Sequence, residues 1–264
     1  MSRVTSRDGT PIAYDRKGSG PAVILVGGGL VDPATGRAGR SENAPLASEL
    51  AMRFTVYNYD RRGRADSGDT LPYAVEREIE DIDALIAEAG GSAHLHGVSS
   101  GGALALEAAA AGLAIDKVSV YELPYLIGEE ASRHWREYVA ELRAALAEGR
   151  RGDAVELFMR VAGAPEESIA GAKASPMWPG LEAVAHTLAY DAAVLGDDHP
   201  PSGRLAEVTQ PTLILTGGSD DFFERAADAT AASLPHAERE VLRGQTHVAD
   251  PKALAPVLER FYTS

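Results

Sequence analysis

Residues 93–108 read Ala93-His94-Leu95-His96-Gly97-Val98-Ser99-Ser100-Gly101-Gly102-Ala103-Leu104-Ala105-Leu106-Glu107-Ala108. The pentapeptide Gly97–Gly101 has the form G-x-S-x-G and lies between a run that can end a short strand and a segment of good helix formers. A serine on such a tight strand-to-helix turn has a strained backbone, and a Cβ at either flanking position would crowd the neighbouring strand or helix. The hydroxyl is then held at the carboxyl edge of a sheet, above a helix N-terminus that favours developing negative charge. A chain with 27 glycines produces the five letters easily by chance. They gain meaning only if an acid and a histidine follow in the right order and setting.

The surrounding rhythm supplies the sheet. Thr10 to Arg16 and Ala22 to Val26 read as strands, with Asp8-Gly9 as a hairpin turn before the first. Phe54 to Tyr59 is β-branched and aromatic, as a strand should be. Val118 to Tyr121, Thr212 to Thr216 and Glu238 to Leu242 complete the set. Helical spacing appears at Ala44–Met52, at Ala74–Ala89, where Val75, Ile79, Ile82 and Ile86 share one side, and at Lys252–Tyr262. Strands alternating with helices imply right-handed crossovers and a largely parallel sheet. Between about Pro124 and Leu205 the alternation stops. Glu129–Glu148, Asp153–Val161 and Leu181–Leu195 read as helices, and Asp197-Asp198-His199-Pro200-Pro201 as a helix stop. This block is expected to be an all-helical lid over the sheet's carboxyl edge.

Composition narrows the function. With 264 residues, 45% hydrophobic and 24% charged, the chain suits one α/β domain with an insertion or two small domains. The absence of cysteine removes disulfides, thiol nucleophiles and thiolate metal sites. A net charge of −14 argues against nucleic acid or an anionic membrane as partner. Arg61-Arg62-Gly63-Arg64 is the one dense basic patch, and local ion pairs and turn contacts are expected of it. No run approaches the roughly 20 apolar residues of a membrane span. The N-terminus lacks the apolar centre of a signal peptide, so a cytoplasmic protein is expected.

Three further features bear on Ser99. Asp220 follows the apolar strand Thr212–Thr216 and the turn Gly217-Gly218, where a carboxylate can reach a neighbouring loop. Asp221 suits the cap of the helix that begins there, and it and Glu122, at the end of an earlier strand, are rivals for the acid role. Of seven histidines, only His247 lies on a post-strand loop downstream of that acid. There it could take the Ser99 proton on one ring nitrogen while the acid orients the other. Gly27-Gly28-Gly29, after the strand Val23–Val26, could aim a backbone N–H at a substrate oxygen. Gly29 is the first choice and Gly28 the second, with the Ser100 N–H completing an oxyanion hole. A phosphate loop and a dinucleotide fingerprint both fail on spacing.

Taken in register, these motifs resemble the α/β-hydrolase fold serine hydrolases with a helical cap between the sixth and seventh strands. The resemblance rests on Gly27–Gly29, on Asp60-Arg61-Arg62-Gly63-Arg64-Ala65-Asp66-Ser67, on Gly97–Gly102, on Gly217–Asp220 and on His247, in the order Ser, Asp, His. It implies a mostly parallel sheet of about eight strands from residues 1–123 and 206–264, with the cap at 124–205. It implies a small-molecule substrate, no metal and no cofactor, and two-step acyl transfer on a carboxylic ester by Ser99, His247 and Asp220. Carbon–carbon, lactone or amide hydrolysis, cofactor-free perhydrolysis and a catalytically silent binding protein remain open alternatives. Two departures stand out. Gly27-Gly28 replaces the usual His-Gly, which implies a looser oxyanion loop, and small Ser100 follows the nucleophile.

Overall fold

The structure, a computed structural model, describes residues 1–30, 41–196 and 199–264. Asp197 and Asp198 of the expected helix stop lie outside them. Eight strands form one sheet in the order β1-β2-β4-β3-β5-β6-β7-β8. They are β1 (Ser2–Thr5), β2 (Pro11–Lys17), β3 (Ala22–Val26), β4 (Thr55–Tyr59), β5 (Ala93–Val98), β6 (Ile115–Tyr121), β7 (Thr212–Thr216) and β8 (Ala237–Val241). The hairpin partners β1 and β2 run antiparallel, as does β2 against β4, and every later pairing is parallel.

Helices cover both faces, as a parallel sheet requires. Among the described residues α2 (Val75–Glu88) and α3 (Ser100–Ala110) bury Ile82, Leu85, Leu104 and Leu106 on one face. On the other, α1 (Ala44–Leu50) and the C-terminal α11 (Pro251–Thr263) bury Leu46, Leu50, Leu258 and Phe261. The order β3-β5-β6 puts the carboxyl ends of three adjacent strands side by side, where Gly27–Gly29, Ser99 and Glu122 emerge. Binding sites of open α/β sheets form outside such strand ends.

Between β6 and β7 the described residues form helices and no strand. They are α4 (Glu129–Ala147), α5 (Arg151–Val161), α6 (Glu166–Lys173), α7 (Trp178–Val184), a 3-10 turn (Ala185–Thr187), α8 (Leu188–Leu195) and α9 (Ser202–Leu205). The expected helix at Leu181–Leu195 is broken at that 3-10 turn, and α6 was not anticipated. This segment has its own apolar cluster, with Tyr138, Leu142, Trp178, Leu181 and Leu188 at its centre. Most of its large aromatic residues are therefore packing groups. Among the described residues no helix is long and apolar enough to cross a membrane.

Candidate active site

Ser99 caps α3 with φ 54° and ψ −129°, a left-handed backbone that costs a non-glycine residue energy and is held by its surroundings. The flanking glycines show what holds it. A Cβ on Gly97 would lie 2.4 Å from the Gly101 carbonyl oxygen, and one on Gly101 would lie 2.4 Å from the carbonyl oxygens of Gly27 and Val26. The turn is thus clamped between α3 and the end of β3, and the half-buried Ser99 side chain stands at the sheet edge. Its backbone N–H donates to the Tyr121 carbonyl across to β6, at 3.0 Å.

His247 follows β8 on an exposed loop, and its Nδ1 lies 2.8 Å from Oε2 of Glu122. A carboxylate only accepts, so Nδ1 carries the hydrogen, and in the neutral ring Nε2 then holds the lone pair. Glu122 is built for this contact. Its side chain is 1% exposed, and Oε1 accepts the Gly217 N–H at 3.0 Å. Its φ of 48° marks a second strained position one residue beyond β6. The preceding residue, Tyr121, the last of β6, donates its hydroxyl to the Thr246 carbonyl at 2.5 Å, pinning the histidine loop. Phe223 stacks on the His247 ring at 4.9 Å and 13°.

The expectation for Asp220 is corrected by this geometry. Asp220 is an exposed helix cap: Oδ1 accepts the Phe222 N–H at 2.8 Å at the start of α10 (Asp221–Ser233). Asp221, expected to cap, is the first residue of that helix. The glycine turn before Asp220 serves its neighbours, since Gly217 donates to Glu122 and packs against the Gln245 carbonyl. The rival Glu122 is marked out by its position, as the first charged residue after the buried run Val118-Ser119-Val120-Tyr121, at a sheet edge.

The glycine loop also becomes specific. A Cβ on Gly28 would lie 3.0 Å from the Ser99 Cβ, so this loop sits directly against the serine. The Gly28 N–H is already donated to Oε1 of Glu42 at 2.9 Å. Burial pushes the Glu42 carboxyl up from its ordinary value, against the opposing pull of that N–H, Arg64 and His247. Gly28 is thereby withdrawn as a free donor, which corrects its place as second choice. The N–H groups of Gly29 and Ser100 have no acceptor among the described residues. Phe158 of α5 closes over Gly29, 3.1 Å from where a Cβ would be.

Arg61, Arg62 and Arg64 are buried, and their partners are distant in sequence rather than local as expected. Arg61 forms a bidentate pair with Glu78 at 2.7 Å, and Arg62 one with Asp81 at 2.7 and 2.8 Å. Arg61 and Arg64 also reach Asp191 of α8. Arg64 Nη1 donates to the Gly28 carbonyl, and Arg61 Nη1 lies 3.4 Å from the Gly27 carbonyl. The glycine loop is braced by guanidinium groups where a looser loop was expected.

A strained serine on a strand-to-helix turn, a histidine oriented by a buried carboxylate at the same sheet edge, and two N–H groups without an acceptor among the described residues suit nucleophilic hydrolysis. A sequence model described as the alpha/beta hydrolase family matches residues 22–257. The chain belongs to that family. It is similar to an alpha/beta hydrolase of Sphaerobacter thermophilus of known structure, with 49% identity and TM-score 0.86 over 99% of this chain and 100% of that one. A thermophilic esterase from Thermogutta terrifontis shares the fold at 22% identity and TM-score 0.72, over 99% of this chain and 97% of that one. Among curated proteins, the uncharacterized hydrolase YraK of Bacillus subtilis is 35% identical over 103 residues. That match spans 38% of this chain and 35% of the relative, about a third of each.

Proposed function

We propose that this hydrolase is a serine esterase acting on carboxylic esters with an apolar acyl or alcohol part, through Ser99, His247 and Glu122. The observation that carries the reading is the 2.8 Å bond from His247 Nδ1 to a carboxylate 1% exposed, one residue beyond the Tyr121 carbonyl that accepts the Ser99 N–H. That bond leaves Nε2 as the base. Ser99 Oγ attacks the substrate carbonyl carbon as Nε2 takes its proton, and Glu122 stabilises the imidazolium that forms. The oxyanion is received by the N–H groups of Gly29 and Ser100. Collapse of the tetrahedral intermediate expels the alcohol, which leaves with the proton from Nε2. Water then repeats the sequence on the acyl-enzyme, releases the acid and restores Ser99.

Phe158 over Gly29 and Phe223 on His247 favour an apolar substrate. Residues 124–205 act as the cap in this reading, and a small molecule is the partner. The test is incubation with a fluorophosphonate probe, followed by assays on p-nitrophenyl esters of graded length beside a lactone and a diketone. Labelling confined to Ser99, and a loss of about 10⁴-fold or more in ester turnover on Ser99→Ala, are expected. Undiminished esterase activity in a folded Ser99→Ala protein would refute the proposal. A diketone or lactone turned over far faster than any ester would reassign the reaction.

A further inference from the structure

Asp191 of α8 reaches into the sheet edge and meets the machinery around Ser99 at a single carboxylate. Its Oδ1 accepts from Ser100 Oγ and from Arg61 Nη1, both at 2.8 Å, and Oδ2 accepts from Arg64 Nη2 at 2.7 Å. Arg61 Nη1 also lies 3.3 Å from Ser100 Oγ. Burial alone would raise the Asp191 carboxyl, but Arg64 and Arg61 outweigh it and hold the group ionised. Arg61 is balanced in turn by Glu78, whose carboxylate also accepts from the Tyr73 hydroxyl at 2.9 Å. Each charge in the cluster is paired, which is what makes it tolerable at this depth.

The cluster's outer contacts point at the two N–H groups assigned to the oxyanion. Arg64 Nη1 binds the Gly28 carbonyl, and that C=O and the Gly29 N–H belong to one planar trans peptide. Fixing the carbonyl in one direction therefore fixes the N–H in the opposite direction. A cation on the carbonyl also polarises the unit and strengthens its N–H as a donor. The second N–H, of Ser100, belongs to the residue whose own hydroxyl is tied to Asp191. Both positions that depart from the family pattern thus enter one cluster: the Gly27 and Gly28 carbonyls face arginines, and small Ser100 offers a hydroxyl to Asp191.

We propose that Arg64, Asp191 and the Ser100 hydroxyl are positioning residues that aim the Gly29 and Ser100 N–H groups, so that the oxyanion site is complete only while α8 is docked. This rests on the esterase reading above. None of the three side chains touches the reacting atoms; they act through two backbone amides. A preorganised donor contributes in the transition state more than in substrate binding, so the loss falls on kcat and leaves KM nearly alone.

The test compares Ser100→Ala, Arg64→Met, Arg64→Lys and Asp191→Asn with the wild type. The readouts are kcat and KM on p-nitrophenyl butyrate, the rate of Ser99 labelling by a fluorophosphonate, and Tm. Ser100→Ala, which leaves all charges paired, is expected to lower kcat and the labelling rate about tenfold with KM within about twofold. Arg64→Met is expected to lose about 100-fold, part of it restored in Arg64→Lys. Wild-type labelling rates and kcat in a folded Ser100→Ala and a folded Arg64→Met would overturn the positioning role and leave the esterase reading standing. So would a rise in KM at constant kcat. Wild-type protein whose Ser99 the probe does not label would instead overturn the esterase reading, and this inference with it.

Discussion

The ends of β6 and β7 each present a carboxylate at the same edge of the sheet, and only one of them meets the histidine. Glu122 is buried, sits at φ 48° and binds both Gly217 N–H and His247 Nδ1. Asp220 is exposed, has an ordinary extended backbone and spends an oxygen on the first turn of α10. Residue type and strand-end position are shared, so neither distinguishes them. Burial and strain do. A carboxylate is kept in a low-dielectric, strained position only where its surroundings use the charge, whereas a cap satisfies a local backbone donor in solvent.

The largest test of that contrast is a pair of amide substitutions. Glu122→Gln is expected to reduce kcat on a p-nitrophenyl ester by about 10³–10⁴-fold, because the amide can neither fix the His247 tautomer nor balance its positive charge. Asp220→Asn is expected to stay within about twofold of wild type. If the two results were exchanged, the assignment of the acid to β6 would be broken. Glu122→Gln also breaks no close packing, so its Tm should remain close to wild type while its activity collapses.

A smaller effect concerns the response of the sheet beneath these strand ends to acid. His96 of β5 is fully buried and bonds to Ser119 of β6 through Nδ1 at 2.8 Å, and burial lowers its pKa to about 3. Unfolded, it titrates near its ordinary value of about 6.5. Above that pH neither state is charged and the group is neutral in effect. Below it the unfolded chain binds a proton that the folded chain refuses, so stability falls as pH drops from about 6.5 towards 3. Urea unfolding should show a loss of roughly 2–3 kcal/mol between pH 6.5 and 4.5, reduced in His96→Asn. An unchanged acid slope in that variant would remove His96 as the cause. The smallest effect is on the β7 side. Asp220→Ala should cost about 1 kcal/mol as a lost helix cap, visible in the urea midpoint, with activity nearly intact.

The fold was legible because its signals are local. Period-two apolar strands and three-four spaced helices recur from Thr10 to Tyr262, and Gly97–Gly101 marks a turn whose glycines face backbone at 2.4 Å. The positions of Ser99, His247 and Gly29 were legible for the same reason: each follows a strand, where chain order alone places it near the sheet edge. The choice among carboxylates was not readable, because Asp220 and Glu122 both satisfy that rule. What separates them is a contact across 125 residues to His247. The role of Asp191 was hidden further still. It looks like an ordinary polar residue on an apolar helix until Arg61, Arg64 and Ser100 are folded against it. Nothing in the order of the chain relates Phe158 of the insertion to the glycine loop, and only the fold puts it over Gly29.

The attachment of the inserted segment is uneven along its length. Among the described residues its polar anchors to the sheet core come from 186–204: His186 and Tyr190 to Asp69, Asp191 to the arginines, and Arg204 to Glu107. Helices α4 to α7 are held mainly by their own apolar cluster and its contact with Leu30. The segment therefore has two parts, residues 186–204 tied to the core by polar contacts and α4 to α7 packed on one another, with Phe158 of α5 over Gly29. A substitution within α4 to α7 therefore changes what lies over Gly29 while leaving the ion pairs of Asp191 in place.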